Sequence, residues 1–394
     1  MKTNYDIVIA GFGAAGGQLL HQFVRRGLTR SKSILVIDKL SKTENDRTWC
    51  YWEKGEGLYD HILSAHWEKM AFALKGETCI KDGQGWKYKQ LEAHRFYAFI
   101  KELALPAGVQ FIQADVLNHH EKEDHVEILT SAGTICSQLF FSSIADMALL
   151  RSSYTSPWLY QHFVGWFVRT EKPIFNPQVA TLMDFSVSQR RTEFMYMLPD
   201  SDRTALLEHT LFSENLLSHE EYESALIKYL QQLNCGSYEI CRKERGVIPM
   251  TAYPFHQRNT RRVTYIGTAG GWTRPSTGYT FRLSGIMAER LAEHIKGNHT
   301  HFARVLRPGR GIFYDRVMLD LLQRRNDLGP YFLFQVYVRN PLHRVFRFLD
   351  GASSFTEELW IVIKSSPRIQ LLKSVYRVLT ARKYAHKNLP HQDF

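Results

Sequence analysis

The sequence lacks the marks of a membrane span, a metal site or a secreted disulfide framework. No run reaches the ~18 to 20 apolar residues that a transmembrane helix needs. Its five cysteines have no metal-ligand spacing, and their odd number is typical of reduced thiols in the cytosol. No metal is therefore predicted. The first residues lead directly into a predicted strand, so no signal peptide is expected.

Acidic residues are absent from one long stretch near the C-terminus. The chain has a net charge of +11, and residues 359–392 contain seven Lys or Arg but no Asp or Glu. Apolar residues recur there at helical spacing, which predicts a basic amphipathic helix. Such a helix either binds an anionic membrane surface or packs on the body of the protein, and the sequence leaves both open. The charge comes without a recognised reading motif, so no nucleic-acid partner is predicted. The residues concerned are Ile369, Leu372, Tyr376 and Leu379 on the apolar side and Lys364, Arg368, Lys373, Arg377, Arg382, Lys383 and Lys387 as cations.

The N-terminal residues form the pattern of a βαβ unit that binds a dinucleotide. Apolar runs at 5–10 and 33–37 predict buried parallel strands. A G-x-G-x-x-G turn between them begins a helix, and Asp38 follows the second strand, 22 positions after Gly16. The helix N-terminus would bind a pyrophosphate and Asp38 a ribose hydroxyl, which favours FAD or NAD over NADP. The predicted contacts are Gly11, Phe12, Gly13, Ala14, Ala15, Gly16, Asp38 and Lys39.

A second glycine-rich turn lies far downstream, between an apolar run at 263–266 and a predicted helix at 279–295. Two such turns in one chain indicate a long cofactor held twice, with the backbone at Gly278 close to a flavin ring. Many flavin hydroxylases have an Asp in a related turn, and Thr268 takes its place here. The predicted cofactor contacts are Gly267, Thr268, Gly270 and Gly278.

Together these patterns predict an α/β fold. We expect an FAD-binding Rossmann-like domain of the glutathione-reductase/hydroxylase type, with an inserted β-sheet substrate cap and a helical C-terminal region. The predicted ranges are 1–153 for the first part of the cofactor domain, 154–260 for the cap, 261–302 for the return segment and 303–394 for the helical, basic region. Strands at 70–75, 86–89, 109–114, 125–129 and 139–144 are expected to close the nucleotide-binding sheet, and 45–53 is expected to be an aromatic loop. The cap is expected to contain strands at 163–169, 180–185, 193–197 and 203–210 and a helix at 219–233.

Three acidic residues of the predicted cap are candidates for proton transfer: Glu208, Asp184 and Glu244. Each lies in an apolar or turn context. An acid that faces a pocket from an apolar strand has its pKa raised by desolvation, and it can then donate a proton near neutral pH. Taken singly, such an acid is more often a salt-bridged structural residue.

The segments taken together resemble the lycopene cyclase family of carotenoid biosynthesis, in its bacterial β-cyclase branch. The resemblance implies an isomerase that uses reduced FAD, with NAD(P)H as reductant, to form β-ionone rings on lycopene, giving γ-carotene and then β-carotene. The Leu-Glu-x-Thr acid of the family falls on Glu208, the implied acid/base residue, and His209 stands where plant relatives have a second acid. The matching segments are 6–16 with Asp38, 45–53, 163–166, 183–185, 196–199, 206–210, 244–251 and 266–281.

The implied chemistry has clear physical requirements. Protonation of a terminal alkene makes a tertiary carbocation, the neighbouring double bond attacks it, and loss of a ring proton completes the ring. A neutral acid, an electron-rich surface and the exclusion of water are needed. The substrate lives in the bilayer, so we expect a cytoplasmic protein bound peripherally to the inner face of the membrane, with the tail and the segment 331–337 as docking surface. The candidate aromatic wall residues are Trp49, Tyr51, Trp52, Trp166 and Trp272.

Two other functions stay open at this stage. An FAD-dependent isoprenoid oxidoreductase, either a hydroxylase or a prenyl reductase, would share the first turn and the two-domain plan, although Thr268 and the residues around Glu208 argue against it. A carotenoid or flavin carrier without turnover is the non-enzyme alternative. The sequence also leaves open whether one or both ends of lycopene are cyclised and which ring isomer forms.

Overall fold

The structure, a computed structural model, describes residues 3–144, 146–152, 154, 157–187, 190–297, 302, 306–365 and 368–381. The strands are β1 (Asn4–Ala10), β2 (Ile34–Asp38), β3 (Thr48–Lys54), β4 (Ala65–Trp67), β5 (Lys69–Leu74), β6 (Glu77–Asp82), β7 (Trp86–Glu92), β8 (Gln110–Gln113), β9 (Val116–Glu121), β10 (Val126–Thr130), β11 (Gly133–Ser142), β12 (Trp158–Thr170), β13 (Val179–Asp184), β14 (Glu193–Pro199), β15 (Thr204–Ser213), β16 (Tyr238–Thr251) and β17 (Val263–Tyr265). The helices are α1 (Ala14–Arg25), α2 (Ala93–Ala104), α3 (Met147–Ser152), α4 (His219–Gln232), α5 (Phe281–Lys296), α6 (Gly311–Arg324), α7 (Gly329–Arg339), α8 (Leu342–Leu349), α9 (Phe355–Lys364) and α10 (Arg368–Ala381).

The cofactor domain is built on a sheet of order β8-β2-β1-β11-β10-β9, with β17 paired to β11. The strands β8, β2, β1, β11 and β17 are parallel, as a βαβ unit requires. Ile7 and Ile9 pack beneath α1, whereas Val8 and Ala10 pack on the opposite face. Burial on both faces explains why β1 is apolar without alternation.

The cap is a second sheet of order β16-β12-β15-β14-β13-β5-β6. Its strands are antiparallel except for β13 and β5, which run parallel, with Val179 opposite Lys69. The prediction that the strand near 70–75 closes the nucleotide-binding sheet is therefore wrong. A strand pattern indicates burial but not its partner, and this partner lies more than one hundred residues away. The four predicted domain ranges stay a prediction.

A small third sheet has the order β3-β7-β4. The predicted strand at 86–89 belongs to β7, so the prediction that it closes the nucleotide-binding sheet is also wrong. The predicted aromatic loop at 45–53 is wrong over most of its length, because Thr48 to Lys54 pair antiparallel with β7. Threonine, tryptophan and tyrosine favour strands, and a partner at residues 86–92 satisfies the backbone of this segment. The same pairing brings Tyr88 of β7 next to the cap.

The C-terminal helices pack on the cap sheet. The ring of Phe72 on β5 stacks on that of Tyr337 on α7 at 4.5 Å between centroids, and Leu333 and Phe334 are buried in the same core. Most of the apolar side chains at 331–337 therefore belong to the interior, and the prediction of a docking surface there is wrong for them. Tyr331 is the exposed exception.

A network of buried charges fixes these layers around the site. The Lys89 ammonium on β7 is fully buried and donates to Glu53 at 3.0 Å and to Asp60 at 2.5 Å. Arg282, at the start of α5, connects Glu53 at 3.1 Å with Asp350 at 3.2 Å. A buried charge is tolerated only when it is paired, so these contacts hold β7, α5 and the helical region in one register.

Candidate active site

A cavity of about 500 Å³ lies between the cofactor domain and the cap. The first glycine turn lies at one end, the second turn forms a wall, and the inner face of the cap sheet closes the other end. The lining residues are Gly13, Ala14, Ala15, Gly16, Lys42, Asp46, Arg47, Thr48, Trp49, Cys50, Tyr88, Tyr97, Ser143, Gln161, Phe163, Leu182, Met183, Phe194, Tyr196, Glu208, Thr210, Phe212, Gly246, Val247, Ile248, Gly267, Thr268, Thr277, Gly278, Tyr279, Thr280 and Phe281.

The first turn has the geometry of a pyrophosphate site. Gly11 has a φ of +93°, which favours glycine, and a Cβ atom at Gly16 would clash with the Gly11 carbonyl oxygen. A Cβ atom at Gly13 would meet nothing within 4 Å, so the turn is open towards the cavity. The helix α1 has no side-chain cap at Gly13, which leaves its first N–H groups available to an anion.

Asp38 is hydrogen-bonded to the backbone of this turn. Its Oδ2 accepts a hydrogen bond from the Phe12 N–H at 2.6 Å, and its Oδ1 accepts one from the Leu40 N–H at 2.9 Å. The Phe12 ring packs edge-on against Phe111 in the interior. Lys39 is exposed, and neither it nor Phe12 lines the cavity among the described residues. Residues 13–16 are therefore the part of the predicted fingerprint that faces the cavity.

Two unsatisfied polar groups meet the cavity at the second turn, one from the turn and one from β12. Gly278 has a φ of +71°, and a Cβ atom there would clash with the Gln161 side chain of β12. Gln161 Oε1 and Thr277 Oγ1 are buried without a hydrogen-bond partner among the residues that the structure describes. Buried polar atoms are nearly always satisfied, so these two fit a polar ligand such as the edge of a flavin ring.

The remaining residues of the second turn divide between its two sides. Gly267 and Thr268 line the cavity, and the Thr268 hydroxyl lies 3.2 Å from that of Thr273. Gly270 lies on the far side, where a Cβ atom would clash with the Tyr265 carbonyl. With one glycine turn at its end and the other along its wall, the cavity has the features expected of a flavin-dinucleotide site. Gly270 contributes packing to the turn.

Two of the three candidate acids meet in the cap sheet. Gly165 on β12 lies opposite Glu208 of β15 on one side and opposite Glu244 of β16 on the other. Residues two strands apart are about 10 Å apart at the backbone, so their side chains meet only if the residue between them is small. A Cβ atom at Gly165 would lie 2.9 Å from Glu208 Cγ and 3.2 Å from Glu244 Cγ. The two carboxyl groups are therefore close enough for each to shift the pKa of the other.

The surroundings of the acid pair separate the roles of its members. Burial raises the pKa of Glu208 well above its usual range, and the neighbouring Glu244 raises it further. The Thr210 hydroxyl, which donates a hydrogen bond to Glu208 at 3.1 Å, lowers the pKa by a smaller amount. Burial also raises the pKa of Glu244, but the Thr48 hydroxyl at 2.8 Å and the Arg242 guanidinium favour its ionised form. The pair therefore favours a proton on Glu208 and a negative charge on Glu244.

The other acidic candidate and His209 lie elsewhere. Asp184 Oδ2 accepts a hydrogen bond from the Tyr229 hydroxyl at 2.8 Å, and Asp184 is not among the described residues that line the cavity. His209 lies on the opposite face of β15 from Glu208, with its Nε2 at 2.8 Å from Glu193 Oε1. Successive side chains of a strand point to opposite faces of the sheet, so Glu208 and His209 face opposite sides. The second carboxyl group of the pair comes from Glu244, which lies next to Glu208 but is itself not among the described residues that line the cavity.

The aromatic wall differs from the predicted one. Of the five candidates, Trp49 lines the cavity, whereas Trp166 packs behind the cap sheet and Trp52 stacks on Phe346 at 5.2 Å. The other two, Tyr51 and Trp272, belong to the core of the cofactor domain. Three tyrosines that sequence reasoning missed line the cavity instead: Tyr88, Tyr196 and Tyr279. The alternation of β14 could have found Tyr196, which pairs with Glu208.

The fold and the site together define a protein of the FAD-binding flavoprotein fold. A geranylgeranyl bacteriochlorophyll reductase-like protein from Thermoplasma acidophilum has this fold, with a TM-score of 0.61 and 12% identity over 95% of this chain and 99% of that one. A flavin-dependent brominase aligns with a TM-score of 0.58 and 17% identity over 98% and 100%. A halogenase crystallised with phloroglucinol and FAD aligns with a TM-score of 0.60 and 12% identity over 97% and 93%. At these identities the likeness concerns the fold alone.

Within this class, the chain belongs to the lycopene cyclase family, whose profile, described as "Lycopene cyclase protein", matches residues 6–375. It is 26% identical over 409 residues to a lycopene beta-cyclase of Pantoea ananas, covering 97% of this chain and 100% of the relative. It is 24% identical over 385 residues to a lycopene beta-cyclase of a Paracoccus species, covering 92% and 94%. The predicted family and fold class are confirmed.

Proposed function

We propose that the protein is an isomerase that forms β-ionone rings on lycopene, giving γ-carotene and then β-carotene, with reduced FAD and without net redox change. The observation that carries this proposal is the pair formed by Glu208, which is buried and lines the cavity, and the adjacent, half-buried Glu244. A neutral acid beside a charged carboxylate, in surroundings that exclude water, suits the protonation of an alkene. Membership of the lycopene cyclase family points to a carotenoid substrate.

In this proposal the acid pair supplies and recovers the proton. Glu208 gives its proton to the terminal double bond, and the neighbouring double bond attacks the resulting cation to close the ring. A proton then leaves the ring for a carboxylate of the pair, so neither protons nor electrons are consumed. The negative charge on Glu244 lies near the positive charge that develops, and it stabilises that charge electrostatically. The cavity-lining rings of Phe163, Phe194 and Phe212 exclude water and offer cation–π attraction.

The cofactor would be held by the two glycine turns. Residues 13–16 would bind the pyrophosphate and Asp38 the ribose, while 267–268 and 277–278 would lie against the isoalloxazine ring. When bound in its reduced form, the flavin supplies an electron-rich surface beside the cation. The need for reduced flavin makes NAD(P)H the proposed reductant.

The proposal is tested by expressing the chain in a host that accumulates lycopene and separating the products by chromatography. We expect γ-carotene and β-carotene, which are isomers of lycopene with unchanged mass. An isoprenoid oxidoreductase would change the mass, and a carrier would leave lycopene unconverted. Either result would contradict the proposed function.

We also propose that the protein binds the inner face of the cytoplasmic membrane peripherally. Within the residues that the structure describes, no helix has the length and apolar character to cross a membrane. The helix α10 packs on the body through Arg377, which pairs with Asp320 of α6 at 2.6 Å. Its other face presents side chains that are between 52% and 69% exposed: Ile369, Leu372, Tyr376 and Leu379. Three cations of the predicted tail, Arg382, Lys383 and Lys387, lie outside the described residues.

Replacing Leu372 and Tyr376 together by glutamate is expected to weaken binding to anionic liposomes by at least about tenfold. The change removes two exposed apolar side chains, each worth about 1.5–3 kcal/mol when buried in lipid, and adds like charge to the surface. Co-sedimentation with vesicles of mixed neutral and anionic lipids measures the effect. The control is Leu117→Glu, which changes an equally exposed leucine on β9. Equal loss in both variants would contradict a docking role for α10.

A further inference from the structure

Three tyrosine hydroxyls form a hydrogen-bonded chain inside the cavity. The Tyr196 hydroxyl donates to Tyr88 Oη at 2.8 Å, and the hydroxyls of Tyr88 and Tyr279 lie 3.2 Å apart. Tyr88 and Tyr196 are buried, and all three residues line the cavity. Cys50 also lines the cavity, next to Tyr196.

A cavity wall that needed only bulk and an aromatic face could use phenylalanine here. A buried hydroxyl costs free energy unless it is hydrogen-bonded. Because the three tyrosine hydroxyls are hydrogen-bonded to one another, the three side chains are stable only in one arrangement. Burial raises the pKa of Tyr88 and of Tyr196 well above the usual range, and both phenols therefore stay neutral. The chain thus contributes fixed geometry and oriented dipoles, without adding a charge to the cavity.

The hydrogen-bonded chain of tyrosines connects the three parts of the protein that enclose the cavity. Tyr196 lies on the cap strand β14, directly opposite Glu208. Tyr88 lies on β7 of the small sheet, and Tyr279 follows Gly278 in the second glycine turn. The chain therefore fixes the spacing between the acid side of the cavity and its cofactor side.

We propose that Tyr196, Tyr88 and Tyr279 are positioning residues that determine the fate of the cyclic cation, an inference that rests on the proposed function. The cation can lose a ring proton to the acid pair, which completes the β ring. It can lose a proton from a different neighbouring carbon, which gives an isomeric ring. It can also add water at the cationic carbon and release a proton, which gives an alcohol heavier by one water. The spacing of base and cation, and the absence of water, select among these outcomes.

The test is the product distribution of Tyr88→Phe and Tyr196→Phe with lycopene and reduced FAD. Tyr88→Phe removes both hydrogen bonds, and the unsatisfied partners make room for a water molecule or a shifted substrate end. We expect the ratio of misdirected products to β-ring products to rise by about tenfold, since ~1.4 kcal/mol corresponds to that factor. Isomeric rings are identified by chromatography. The alcohol is identified by mass and by uptake of heavy oxygen from labelled water.

The matched control is Tyr222→Phe, which removes a buried tyrosine hydrogen bond to His162 behind the cap sheet. Its product ratio should stay that of the wild type, whatever its stability. If Tyr88→Phe fails to fold, as judged by circular dichroism and flavin content, then Tyr196→Phe decides, because it removes one direct contact. This inference would be overturned if Tyr196→Phe, and Tyr88→Phe where it folds, turned over more slowly with an unchanged ratio of misdirected to β-ring products. That result would leave the proposed function intact. Absence of cyclic products from the wild type would instead refute the proposed function.

Discussion

Glu208→Gln is expected to abolish cyclisation, with a loss of about 10³-fold or more in the rate of ring formation. Glutamine keeps the size of the side chain and can accept the Thr210 hydrogen bond at position 208, but it cannot donate a proton to an alkene. The rate is measured as conversion of lycopene by the purified variant with reduced FAD. Because residues 13–16 and 267–278 are untouched, the variant should retain its flavin.

Two controls separate this loss from a folding defect. Burial raises the pKa of Glu208, so folding of the wild type becomes less favourable as the pH rises and the unfolded chain ionises more easily. The glutamine variant lacks this penalty and should unfold at no lower temperature than the wild type at alkaline pH.

The second control is Asp184→Asn, which changes an acid bonded to Tyr229 outside the cavity and should keep most of the activity. Retained activity in Glu208→Gln with loss in Asp184→Asn would reverse the site assignment.

Local patterns predicted the cofactor domain well because its signals lie close together in the chain. The strand β1, the glycine turn and Asp38 are all encoded within about forty residues. Each has a steric or electrostatic reason that does not depend on distant segments. The same holds for α4, predicted at 219–233 and observed at His219–Gln232. Its N-terminus is set locally, since a capping box at Ser218 begins it.

Long-range pairing explains the strands that were misplaced or missed. The strand β5 pairs with β13 and β3 pairs with β7, and no periodicity within β5 or β3 identifies those partners. The strands β6 and β9 were not predicted, because they carry mostly polar residues at sheet edges, where burial leaves little signal. To place any of these four strands, one would have needed to know the order in which the strands pair in each sheet.

The acid pair shows what a sequence pattern contains and what it omits. Glu208 and Glu244 were separate candidates, thirty-six positions apart, and nothing local joins them. Gly165 was visible within the F-V-G-W segment, and a glycine inside a strand marks a close approach. The register that puts this glycine between both acids is a property of the folded sheet. The alternation of β12 also explains why Trp166, next to Gly165, faces away from the cavity.

A pair of carboxyl groups gives each member a distinct role only if their surroundings differ. The Thr48 hydroxyl and the Arg242 guanidinium favour the ionised form of Glu244, whereas Glu208 is more deeply buried and accepts a hydrogen bond from Thr210. The negative charge at Glu244 therefore keeps the proton on Glu208, and in the proposed mechanism it would also stabilise the cation. Substitution at Glu244 tests both consequences at once.

Glu244→Gln is expected to move the alkaline limb of the pH–rate profile to lower pH and to lower the rate at neutral pH. Activity requires protonated Glu208, which is present below its pKa in the folded protein and is lost as the pH rises through that value. Glu244 raises this pKa, so its neutral replacement lets Glu208 ionise at lower pH. The rate on the acidic plateau should also fall, by about tenfold, because a charge next to the cation is removed.

The profile is measured as the initial rate of lycopene conversion across the pH range in which flavin content stays constant. The matched control is Glu239→Gln on the same strand, an exposed acid paired with Arg169 at 3.5 Å, whose profile should match that of the wild type. A limb that stays in place in Glu244→Gln would show that Glu244 does not govern the proton on Glu208. If Glu244 instead carried the transferable proton, Glu244→Gln would lose cyclisation altogether, as is expected here of Glu208→Gln.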